Sequence, residues 1–93
     1  MKPDFKDEEA ALNDFKQMAR AWRDDYEKRL GRENNAFLLD DLQEEIDMYV
    51  SQQLYHMFKN GIISKKLFQQ GVAAFLNEWS ILAIKIKEVE GGE

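Results

Sequence analysis

The chain has no cysteine, which excludes a disulfide framework, Cys-ligated zinc and a thiol nucleophile. It has a single histidine, His56. Gln53 stands three positions earlier, where a Glu-x-x-His di-iron pattern needs an acid, and no His-Glu-x-x-His segment occurs. No histidine is spaced to suggest a triad with Ser51, Ser64 or Ser80. Gly31, Gly61, Gly71, Gly91 and Gly92 fit neither nucleotide-binding fingerprint. No run approaches the roughly 20 apolar residues that cross a bilayer, and the first seven residues lack the apolar core of a signal peptide. Basic residues are outnumbered, and the net charge of −5 opposes nonspecific attraction to nucleic acid and to anionic lipid. These absences assign no catalytic residue, no metal ligand and no cofactor. They set membrane aside as a partner, disfavour nucleic acid, and make a cytoplasmic setting the expectation.

What is present points to helices. The 93 residues include six Phe, three Tyr and two Trp, which suits one folded domain spanning 1–93 with a modest core. Three amphipathic segments, at about 5–30, 36–59 and 64–89, are separated by Gly31 and by Asn60-Gly61. The first carries Phe5, Leu12, Phe15, Ala19, Trp22 and Tyr26 on one stripe, with Met18 and Leu30 beside it. Its acids crowd the start and its bases the end, as the helix dipole prefers. The second buries Leu39, Leu42, Ile46, Tyr49 or Val50, Leu54 and Met57. Its start is either Asn34-Asn35 or Asp40, where Gln43 would complete a capping box. In the third, Ser64 is the N-cap and Ile63 with Phe68 form a hydrophobic staple. Phe68, Val72, Phe75, Trp79, Leu82, Ile86 and Val89 then recur at steps of four and three, with Phe75, Trp79 and Leu82 as core anchors. Ile84-Lys85-Ile86-Lys87 alternates like a strand, yet no second strand candidate exists to pair with it. Short connections make the expected fold an all-α antiparallel three-helix bundle. In it, Arg20, Arg23, Lys28 and Arg29 of the first helix lie beside the acidic run of the second.

The third helix is too apolar for that bundle alone. Outside its main register stand Ala73, Ala74, Leu76, Ile81, Ala83 and Ile84, and of this surplus Ala74, Leu76, Ile81 and Ile84 are the four that two short neighbours would struggle to cover. The expectation is a non-enzymatic interaction or self-assembly module that oligomerises through these four residues, as a helical homodimer or with another protein. Two other classes are compatible with the residues. A helix-turn-helix-like regulator would grip nucleic acid or another anion through Lys59, Lys65 and Lys66, aided by Gln69 and Gln70. A Mg-dependent all-helical enzyme would use Asp40, Asp41, Glu44, Glu45 and Asp47, although the second Glu-x-x-Asp pair such sites draw on is missing.

Overall fold

Local capping chemistry sets where each helix begins and ends, and the computed structural model, which describes residues 8–91, places three of them. Helix α1 is Glu8–Glu27, after which residues 28–30 turn; Phe5 lies outside the described residues. Gly31 follows with φ 81°, a left-handed conformation that costs glycine little. Helix α2 opens at Asn35, capped by the Asn34 side chain, which accepts from the Ala36 N–H. It runs as an α-helix through Asn35–Tyr49, a π-helical turn Val50–Leu54 and a last α-helical turn Tyr55–Lys59. Gly61, at φ 74°, ends it, with Gly61 N–H bonded to the Phe58 carbonyl and Ile62 N–H to that of Met57. That pair of bonds is a Schellman motif. Helix α3 is Lys65–Glu90, capped by Ser64 Oγ, which accepts from the Leu67 N–H at 3.0 Å. Residues 84–87 are helical, so the strand reading of that segment is set aside.

The helices run up, down and up. Phe58 stacks on Phe68 at one end of the α2–α3 pair and Asn35 bonds to Glu90 at the other, so these helices are antiparallel. Arg23 meets Glu78 and Glu27 meets Lys85, so α1 and α3 are parallel. α3 is the central element, packed chiefly on α1 and secondarily on α2.

The buried ridge of α3 differs from the expected stripe. Leu67, Gly71, Phe75, Glu78, Leu82 and Ile86 face inward. Phe68, Val72 and Trp79 are half-buried flanks, and Val89 is 57% exposed. The apolar arc of α3 is wide, and the meridian that turns inward is the one between its two neighbours. Trp79 sits on the α2 side, where its indole N–H donates to the Leu39 carbonyl at 2.9 Å. Gly71 lies on the ridge where side chains of both neighbours press close: a Cβ at this position would come within 3.2 Å of both Leu54 Cδ2 and Phe15 Cδ2. Leu38, absent from the expected core, is fully buried. The π-helical turn is also unforeseen. Its extra residue rotates the following turn by about 100°, which brings Leu54 inward and leaves Gln53 in solvent.

Above Gly71 each helix contributes one ring to a cluster. Trp22, Tyr49 and Phe75 have centroids 5.1–5.6 Å apart, a spacing that adds to the energy of area burial. Tyr26 then ties α1 to α2, its hydroxyl donating to Glu45 at 2.8 Å. Burial first, then the hydrogen bond to Glu45 and its charge, push the Tyr26 phenol up to about 12, with Arg29 acting in the opposite direction. Burial raises Tyr49 as well. An unfolded tyrosine ionises near 10, so the unfolded chain sheds protons that the folded chain keeps. Stability is therefore full below about pH 10 and declines between about pH 10 and 12. Urea midpoints across that window should fall steeply for the natural chain and less steeply for Tyr26→Phe; equal slopes would count against a buried phenol.

Candidate interaction surface

The inward turn of one meridian of α3 leaves the opposite one outside. Gln69, Ala73, Leu76, Ser80, Ala83 and Lys87 follow one another at steps of four, three, four, three and four. All are exposed except the half-buried Ala83. Leu76 is 48% exposed and Ile84, just beside this line, is 57% exposed. Two of the four expected interface residues thus stand in solvent. The other two, Ala74 and Ile81, lie seven residues apart on the edge toward α1 and are half-buried. Ala73, Ser80 and Ala83 are not among the interface residues expected from the sequence, although their spacing repeats the rhythm of the core stripe; small side chains give such a line little hydrophobic weight.

The edges of this face carry charge. Toward α1 an open groove of about 400 Å³ is lined by Leu12, Lys16, Arg20, Ala74, Asn77 and Glu78, among others. Its floor joins the α1–α3 ion network. Arg23 binds both Glu78 and Glu27, and Lys85 reaches Glu27 at 2.9 Å. Glu78, only 7% exposed, is the one charged residue among the buried residues described. The hydrogen bond to Glu78 raises the Arg23 guanidinium above its ordinary value, against the effect of burial. This corrects the expected charge pairing: Arg23 serves α3, and Arg29 pairs with Glu33 in the connection. Among the described residues none of the four arginines and lysines named for α1 forms an ion pair with the acidic run of α2. The reason is that α1 packs mainly on α3 and touches α2 little.

Toward α2 the edge is acidic. Leu38, Leu42 and Ile46 face the core, and Glu45 lies on the flank that reaches Tyr26 of α1. At about 100° per residue, Gln43 occupies the other flank, and Asp47 and Asp40 lie further round toward the side away from the core; all three are exposed.

The remaining candidates are dispersed. Lys59, Lys65 and Lys66 are exposed, with Lys59 Nζ 5.8 Å above the Tyr55 ring. Lys66 and Gln70 line a crevice with Glu8 and Glu9 of α1, so two carboxylates stand beside two of the side chains a reading helix would present. Glu45 is engaged by Tyr26, and among the described residues no three His or acidic side chains converge in an arrangement that could hold a metal ion. No described helix is long and apolar enough to cross a membrane. No family model matches the chain, and no curated protein or solved structure is found similar to it.

Proposed function

We propose that the chain is a non-enzymatic self-association module, a small adaptor or structural subunit that forms a homodimer through the outer face of α3. The observation that carries this reading is the exposure of two large aliphatic side chains, Leu76 at 48% and Ile84 at 57%, on one side of the longest helix. Their neighbours Ala73, Ser80 and Ala83 are small enough for a second helix to approach closely. Burying such a strip on two chains yields several kcal/mol at about 25 cal/mol per Å². Much of that gain is offset by the lost freedom of two bodies, so the dissociation constant should lie in the micromolar range, about 1–100 μM.

Sedimentation velocity over that concentration range should show the average mass rising from one chain toward two. Leu76→Glu with Ile84→Glu should reduce it to one. Because both positions are exposed, the doubly substituted chain should keep its helical circular dichroism. A natural chain that stays monomeric at 100 μM on the scale above would refute the proposal.

A further inference from the structure

The groove between α1 and α3 gathers two cations that the fold leaves unmatched. Lys16 and Arg20 line it from α1, one turn apart, and Gln70, Ala73, Ala74 and Asn77 line it from α3. Acidic residues outnumber basic ones by 18 to 13 in this chain, and Arg23, Arg29 and Lys85 each pair with a carboxylate. Among the described residues Lys16 and Arg20 pair with none, although like charges at i and i+4 of a helix repel. Glu78, the acid that lines the groove, is taken by Arg23. The side chains of Gln70 and Asn77 also have no hydrogen-bond partner among the described residues.

We infer that this groove seats an α-helix of another protein, one that carries two carboxylates four residues apart, with Lys16 and Arg20 each taking one. Residues four apart on a helix are separated by about 6 Å along its axis, so a helix laid beside α1 meets both cations in register. The groove runs about 12 Å from Leu12 to Arg20 at 1.5 Å per residue and is open along its length. A small molecule lying there would stay largely in water, whereas an amphipathic helix would seal it. Ala73 and Ala74 are small enough to admit the backbone of such a helix, Leu12 offers an apolar contact, and Gln70 and Asn77 offer amides. The adjoining crevice, which shares Leu12 and Gln70, is lined by Glu8, Glu9 and Lys66. Two acids against one base disfavour a carboxylate there, which confines the partner's acids to the Lys16–Arg20 end. The inference is independent of the self-association proposed above, whose carrying residues, Leu76 and Ile84, do not line the groove.

The probe is a fluorescein-labelled peptide of about 16 residues, rich in alanine and glutamine and long enough to be helical, with two glutamates four apart. Its anisotropy should rise to saturation as the natural chain is added at low salt. Placing the glutamates two apart, on different sides of the helix, should weaken binding by at least about fivefold. Lys16→Glu with Arg20→Glu should weaken it by at least about tenfold, and because both positions are exposed the variant should keep its helical circular dichroism. Lys59→Glu with Lys65→Glu makes the same charge change at exposed positions outside the groove and should alter the affinity by less than about twofold. No saturation, indifference to the glutamate spacing, or an equal loss in the two charge-reversed variants would overturn the proposal. Displacement of the peptide by an equal concentration of inorganic pyrophosphate would overturn it too, by marking a site for small anions instead.

Discussion

Arg23→Met is expected to destabilise the fold by about 2–3 kcal/mol, because it strips the buried Glu78 carboxylate of its hydrogen-bonding cation. The Arg23 and Glu78 side chains retain 14% and 10% of their accessible surface, so solvent offers little compensation. The residual exposure places the loss at the lower end for buried pairs. In a chain of this size such a loss lowers the melting temperature by about 10–20 °C. Removing both partners, Arg23→Met with Glu78→Leu, should recover at least half of it, since an apolar pair of similar volume fills the α1–α3 seam without an unpaired charge. Calorimetry or thermal circular dichroism on the three variants decides the matter. A single substitution costing under about 0.5 kcal/mol would place the pair with ordinary surface salt bridges. The network then does more than add stability: Arg23 to Glu78 and Glu27 to Lys85 fix the parallel register of α1 on α3.

The second large effect lies at Gly71. Gly71→Leu should cost about 3 kcal/mol or more through overpacking, because Phe15 and Leu54 press on the site from two helices and neither has space to retreat. Leu54 is fully buried and Phe15 is 6% exposed. Gly71→Ala is the informative contrast. Alanine gains up to about 1 kcal/mol of helix propensity over glycine, and its Cβ would sit 3.2 Å from two side-chain carbons. The two effects should nearly cancel, leaving a net change within about 1 kcal/mol. Leu54→Ala should relieve Gly71→Leu in a double-mutant cycle read by urea denaturation, with a coupling energy above about 1 kcal/mol. Additive effects would mean that the close approach of α2 to α3 is not what requires glycine there.

Glu78 and Gly71 lie on the buried ridge of α3, yet neither carries a hydrophobic signal, so apolar periodicity points to Phe68, Val72 and Trp79 one position away. An apolar arc that wide is compatible with several inward meridians. The π-helical turn had only an indirect trace, the eight-residue interval between Ile46 and Leu54. Because consecutive helices are usually neighbours, the sequence points the arginines of α1 toward the acids of α2; α1 instead packs chiefly on α3. The surplus of the third helix was legible as composition. Its division into exposed Leu76 and Ile84 and partly covered Ala74 and Ile81 was not, because that depends on how far α1 leans across α3.

The amino-acid sequence by itself determined the number of helices, their principal boundaries and their all-α class. Those features are local: Ser64 and Asn34 satisfy nearby N–H groups, Gly31 and Gly61 adopt positive φ, and a 3.6-residue period needs only neighbouring side chains. The tertiary structure alone decided which meridian of α3 is buried and where Arg23 finds its carboxylate. Each of these depends on the relative position of helices far apart in the chain, and that position is set when three surfaces pack at once.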